Sequence, residues 1–339
     1  MKSIDAPLND AGNLPIPASL WAAFCEGSRL ACARLITIVE NQPSQVPAIH
    51  DLMAPRMKGA LRIGITGPPG VGKSTLTSAL ALGLAEGGHK VGVIAVDPSS
   101  PFTGGAFMGD RVRMEGLVGN PSVYIRSLAS REGHGGLSPS TPYVADVLDA
   151  FGMDRVLIET VGVGQAELDV LSCTDIVVLV LQPSTGDAIQ TLKAGIIEVA
   201  DIIIVNKADL PGVDTVLQSL RFLFSLGGPR PAKGVPPVKA TSASKNEGIA
   251  EAIEEIEKLA AKLVESGKHR DMRRARLEEQ IRKAIQQHLW TAYSGQAGAG
   301  PEIQRVAAEL AESGGSPYPY IRDACAKVDI DIKQRKEGS

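Results

Sequence analysis

The 339-residue chain carries 35 Lys and Arg against 38 Asp and Glu, a net charge of −3, and so offers no basic field to hold nucleic acid. Its apolar content of 44% is that of a globular protein, while 4% aromatic residues leave Val, Ile, Leu and Ala to fill the core, a composition suited to parallel strands. No run approaches the roughly 18 to 20 apolar residues of a membrane span, and Met1-Lys2-Ser3-Ile4-Asp5 opens no secretion signal, so a soluble cytoplasmic protein without a membrane partner is expected.

Residues 1–58 read as a helical N-terminal extension. Ala18 to Gln42 looks helical, with apolar positions at Leu20, Trp21, Phe24, Leu30, Leu35 and Ile36, and a linker bearing Pro55 follows. Cys25 and Cys32 stand seven residues apart, as two helical turns would place them. With Cys173 and Cys325 they show no metal-ligand spacing and read as reduced, mostly buried thiols.

From Gly59 onward short β-branched runs alternate with helical stretches: Ile63 to Thr66, Val91 to Val96, Val123 to Arg126, Val156 to Glu159, Ile176 to Leu181, Ile202 to Val205 and Val238 to Thr241. That alternation over residues 59–265 predicts an α/β fold with a doubly wound, mostly parallel sheet. Ligands of such sheets sit at the carboxyl ends of the strands. A helix from near Gly248 carries Ile249, Ile253, Ile256, Leu259, Ala260 and Leu263 on one face and breaks at Gly267. Residues 266–339 form a helical arm. Its second helix steps through Leu277, Ile281, Ile285 and Leu289, supported by Glu278–Arg282 and Glu279–Lys283 pairs. Such a stripe needs a partner surface, either its own α/β domain or a second subunit. Gly295 to Pro301 reads as a loop before a short helix and a polar tail.

The chemistry sits at the strand ends. Gly67-Pro68-Pro69-Gly70-Val71-Gly72-Lys73-Ser74-Thr75 fills the pattern G-x-x-x-x-G-K-[ST] between the strand ending at Thr66 and a helix predicted from Ser74 to Glu86. Its glycines let backbone N–H groups curl around phosphate oxygens, Lys73 reaches the outer phosphates and the Ser74 hydroxyl faces Mg²⁺. A nucleoside triphosphate is therefore the expected ligand. Asn206-Lys207-Ala208-Asp209 matches the base-recognition pattern N-K-x-D. One carboxylate, Asp209, can accept both the N1–H and the exocyclic amine of guanine, and adenine lacks that donor pair. Lys207 lies along the base, Asn206 ties the loop to the phosphate loop, and Thr241-Ser242-Ala243 fits the short backbone-donor loop that meets guanine O6. Carboxylates for Mg²⁺ stand at Asp97, Asp110 and Glu159. Glu159-Thr160-Val161-Gly162-Val163-Gly164-Gln165 is similar to a D-x-x-G switch with Glu in place of Asp, in which the Gly162 N–H meets the γ-phosphate. The adjacent place that in small signalling GTPases holds a water-orienting glutamine is Val163; Gln165 comes later, so slow intrinsic hydrolysis and acceleration by a partner are expected.

Together with Ala95-Val96-Asp97-Pro98-Ser99-Ser100, Thr103-Gly104-Gly105 and Gly109-Asp110-Arg111, these segments resemble the MeaB/ArgK-type GTPases across about residues 15 to 295. The resemblance implies a homodimeric P-loop GTPase that binds GTP and GDP with Mg²⁺. Its partner would be an adenosylcobalamin-dependent acyl-CoA mutase, whose cofactor loading it gates and which it protects from inactivation. The family's metal positions correspond to Ser74, Asp97, Asp110 and Glu159. A third switch corresponds to residues 182–193, with Asp187 and Lys193 as its charged pair, and the arm after about Lys268 corresponds to the dimerisation segment.

Two other classes remain open at this stage. A nickel-insertion GTPase would show Cys and His ligands near the phosphate loop, whereas His50, His89, His134, His269 and His288 are dispersed. A transport-linked ATPase or kinase would have no use for a guanine-reading Asp209.

Overall fold

The computed structural model describes residues 15–98, 115–117, 119–130, 138, 140–160, 172–183, 194–225, 234–295, 299–313 and 316–324. Seven strands, β1 (Leu61–Thr66), β2 (Val91–Pro98), β3 (Val123–Ser130), β4 (Arg155–Glu159), β5 (Ile176–Leu181), β6 (Ile202–Val205) and β7 (Val238–Ala240), form one sheet in the order β3-β2-β4-β1-β5-β6-β7. Every pairing is parallel, as the β-branched runs predict.

Helices α1 (Ala18–Cys25), α2 (Arg29–Asn41), α3 (Val46–Met53), α4 (Lys73–Glu86), α5 (Thr141–Phe151), α6 (Ala194–Val199), α7 (Val213–Ser225) and α8 (Ile249–Glu265) accompany the sheet. Side chains alternate across a strand, so β2 and β4 send Ile94, Val96, Val156 and Ile158 into one core with α1, α2, α3 and α5. The opposite faces, Val93, Ala95 and Leu157, join Leu61, Ile63 and Ile65 of β1 in a second core under α4 and α8. A third core, Leu179, Leu181, Ile203 and Val205, lies against α6 and α7. β1 is buried along its whole length. The charge this strand carries into the interior, Arg62, is met by Asp146 of α5 at 2.6 Å, since an unpaired buried charge costs several kcal/mol.

The expectation of one helical stretch from Ala18 to Gln42 is corrected to two helices. Gly27 adopts φ +86°, and the Ser28 hydroxyl then accepts the Ala31 N–H and starts α2 afresh. Cys25 and Cys32 thus belong to different helices, and with Cys173 they are free thiols. The extension packs through aromatic rings: Phe24 lies 5.4 Å from Trp21 and 5.3 Å from Phe151, and Tyr124 lies 5.8 Å from Phe151. Arg29 donates to the Val123 carbonyl at 2.6 Å, which occupies a backbone acceptor on the edge strand β3. Asp149 of α5 receives the N–H groups of Lys58 and Gly59 and fixes the entry to β1.

The chain divides into two compact units at Arg270/Asp271. The predicted apolar face of α8 buries Ile249, Ala252, Ile256 and Ala260 on the sheet side of the first unit. The second unit contains most of α9 (Lys268–Ser294), together with α10 (Ala299–Ser313). Leu277, Ile281, Ile285 and Leu289 are 39%, 59%, 55% and 41% exposed, so the stripe of α9 is open among the described residues of its own unit. Helix α10 begins two residues before Pro301 rather than after it, because a proline in the first helical turn forfeits no intrahelical hydrogen bond. Tyr293 packs with Ala292, Ala299, Ile303 and Ala324, and its hydroxyl meets that of Tyr320. No helix of the described residues is long and apolar enough to cross a membrane.

Candidate nucleotide site

The central strand β1 runs directly into Gly67, and the chain switches sides of the sheet around it, with β2 beyond β4 on one side and β5 on the other. Gly67, Gly70 and Gly72 take φ of +144°, +79° and +89°, which lets the loop turn its N–H groups inward. Two of these glycines are also forced by contact. A Cβ on Gly67 would lie 2.2 Å from the Val180 carbonyl oxygen, and one on Gly72 would lie 2.6 Å from Asn206 Nδ2. Gly72 is the N-cap of α4 and supplies no side-chain acceptor, so the first-turn N–H groups and the helix dipole face the space the loop encloses. Lys73 is buried and donates to the carbonyls of Gly67 at 2.9 Å and Pro68 at 3.0 Å, which holds its ammonium over the loop.

Ser74 and Glu159 are both buried, and the Ser74 hydroxyl donates to Glu159 Oε1 at 2.7 Å. Glu159 closes β4, in register with Ile65 of β1 and Ala95 of β2, so Asp97 lies two residues further along the neighbouring strand, one before its end. The Thr160 N–H donates to Ile65 O at 3.0 Å and its hydroxyl to that of Thr66 at 3.1 Å, which fixes the exit of β4. The side chain of Asp97 and all of Asp110, Gly162, Val163, Gln165, Asp187 and Lys193 lie outside the described residues.

The base loop is bolted to the phosphate loop. Asn206 Nδ2 donates to Val71 O at 2.9 Å, while Asn206 Oδ1 accepts the Thr241 hydroxyl and the Ala243 N–H, each at 3.1 Å. Lys207 adopts φ +57°, a left-handed conformation costing a β-carbon residue roughly 1 to 2 kcal/mol. The Lys207 ammonium on Gly70 O at 2.6 Å and the Ala208 N–H on Thr241 O at 2.9 Å offset that cost. Asp209 Oδ1 accepts the Ser242 hydroxyl at 2.7 Å and Lys245 Nζ lies 3.6 Å from Oδ2. The Ser242 hydroxyl first, and Lys245 after it, hold the Asp209 carboxyl below the ordinary carboxylate value, so it stays an acceptor.

The structure therefore brings Gly67 to Thr75, Glu159, Asn206, Lys207, Asp209, Ser242 and Ala243 to one end of the sheet. In Thr241-Ser242-Ala243, the segment expected to donate backbone N–H groups to guanine O6, the Ser242 N–H donates to Glu247 O at 2.9 Å, that of Ala243 to Asn206, and the Ser242 hydroxyl reaches Asp209. Lys245 escaped the sequence reading because it belongs to no motif, and only the turn after β7 carries it to Asp209.

Residues 32–297 match the family described as methylmalonyl-CoA mutase-associated GTPase MeaB. A Pyrococcus abyssi homologue is 45% identical over 262 residues, covering 77% of this chain and 81% of its own. GTPase ArgK of Escherichia coli is 34% identical over 278 residues, covering 78% and 82%. Among solved structures, one titled a LAO/AO transport system kinase superposes with a TM-score of 0.67 at 26% identity, covering 97% of this chain and all of that one. With the family matched over most of its length, the chain belongs to the MeaB family of methylmalonyl-CoA mutase-associated GTPases.

Proposed function

We propose that this GTPase is a switch that gates adenosylcobalamin loading into a B12-dependent acyl-CoA mutase and protects or reactivates that enzyme. The family match supports the mutase as partner, and the observation that carries the guanine-nucleotide switch is the interlock of the two loops: Asn206 and Lys207 each hold a carbonyl of the phosphate loop while Asp209, two residues on, faces outward as a poised carboxylate. A nucleotide seated on Gly67 to Thr75 then meets Asp209 with its base, and guanine supplies the paired donors. Lys73 turns from the loop carbonyls to the outer phosphates.

The oxygen pair Ser74 and Glu159, 2.7 Å apart at the N-terminus of α4, fits Mg²⁺, which takes hard oxygen ligands and retains waters. Ser74, Glu159, Asp97 and Asp110 would hold it. There it would supply positive charge that offsets the negative charge of the phosphate oxygens. Gly162 donates to the γ-phosphate, and Gln165 stands in for the water-orienting residue that Val163 is not. Residues 59–265 carry this switch, the described part of residues 1–58 braces its sheet, and the exposed stripe of α9 in residues 266–339 pairs with a second copy as a homodimer. Asp187 and Lys193 of the third switch pass the nucleotide state to the mutase through different affinities for two conformations.

The cognate mutase is expected to raise GTP turnover at least about tenfold, because hydrolysis lacks a fixed water-orienting group until the partner orders it. Steady-state phosphate release with purified acyl-CoA mutases measures this, and rapid turnover indifferent to all of them would reject the reading. Truncation at Gly267 is expected to turn a sedimenting dimer into a monomer. A truncated chain that still sediments as a dimer removes the arm from the interface.

A further inference from the structure

Lys245 lies outside every nucleotide-binding motif, yet its position is built rather than accidental. Ser242 and Glu247 form a two-way backbone bridge, with N–H to carbonyl distances of 2.9 and 3.1 Å, and the Lys245 N–H closes the turn onto Ser242 O at 3.0 Å. Asn246 takes φ +57° to make that reversal, and Gly248 follows at φ +72°, where a Cβ would lie 2.2 Å from Ala240 O. The turn carries Ser242 and Lys245 to the two oxygens of one carboxylate: the hydroxyl to Asp209 Oδ1 at 2.7 Å and the ammonium to within 3.6 Å of Oδ2. A carboxylate has about four acceptor positions on its two oxygens, so each oxygen keeps one for a base donor while holding its partner.

We propose that Lys245 is a specificity-determining residue of the base site, the countercharge that keeps Asp209 aimed as a guanine docks and a donor ready for a purine carrying oxygen at C2. This rests on the guanine reading of Asp209. Guanine brings two neutral donors to a carboxylate and displaces water from it; without a neighbouring cation the anion loses solvation that two neutral hydrogen bonds only partly replace. Lys245 is half exposed, so its effect on guanine itself is modest. Its larger effect emerges in the Asp209→Asn variant, where the neighbouring side chain is neutral. A xanthine base then presents a C2 oxygen, and the ammonium donates to it directly.

The test uses the full-length protein and titration with GDP, ADP and XDP. Lys245→Met, which keeps the stem and removes the charge, is expected to weaken GDP about threefold, and Lys245→Arg to restore it. In an Asp209→Asn background, Lys245→Met is expected to lower XDP affinity about tenfold, a loss that a merely structural lysine would not produce. If wild type binds GDP and ADP alike, the guanine reading itself fails. If wild type selects GDP but Lys245→Met leaves GDP and XDP affinities unchanged, Lys245 is a solvated loop residue and this proposal alone is overturned. Should Asp209→Asn bind no XDP, the GDP loss and its rescue by Arg decide the matter.

Discussion

Asp209→Asn is expected to lower GDP affinity about 10³-fold and to let XDP bind in its place, because two hydrogen bonds to a charged acceptor are lost and an amide N–H₂ is left facing guanine donors. The effect should be this large because the Ser242 hydroxyl, 2.7 Å from Oδ1, holds the Asp209 carboxylate in place, with the Lys245 ammonium 3.6 Å from its other oxygen. The fold should not suffer, since the residue is exposed. Calorimetric titration with GDP and XDP checks the exchange, and an Asp209→Asn protein that retains wild-type GDP affinity would detach the N-K-x-D segment from base recognition.

Gly67→Ala is expected to act just as strongly from the other end of the nucleotide, without touching the base. At φ +144° and 2.2 Å from the Val180 carbonyl oxygen, an added Cβ meets backbone of the adjacent strand β5, and backbone cannot rotate away as a side chain could. The loop must shift. Strain of this kind costs roughly 1 to 3 kcal/mol in stability. Displacing the phosphate loop by about 1 Å lowers turnover roughly 100-fold. Thermal unfolding and phosphate release measure the two effects separately, and unchanged values in both would mean that the loop does not depend on this approach.

The sequence made the sheet legible because its central strands β1, β5 and β6 are apolar runs buried along their whole length, and the charge inside β1, Arg62, is met by a residue 84 positions away. Local chemistry hid the break at Gly27, where a left-handed glycine and a serine cap outweigh a continuous apolar pattern. The same holds for the start of α10, where a proline inside the first turn reads from the sequence as the end of a loop. In the site, Gly67 to Thr75 and Asn206 to Asp209 are contiguous motifs and could be read directly. Their interlock could not be, because Asn206 reaches Val71 across 135 residues and the Ser242 hydroxyl meets Asp209 across 33.

The measurement that bears most directly on the account is titration of the wild-type protein with GDP and ADP in the presence of Mg²⁺. A poised carboxylate at Asp209, locked to the phosphate loop through Asn206 and Lys207, predicts that GDP binds at least about 10³-fold more tightly than ADP. Equal affinities for the two nucleotides would contradict it.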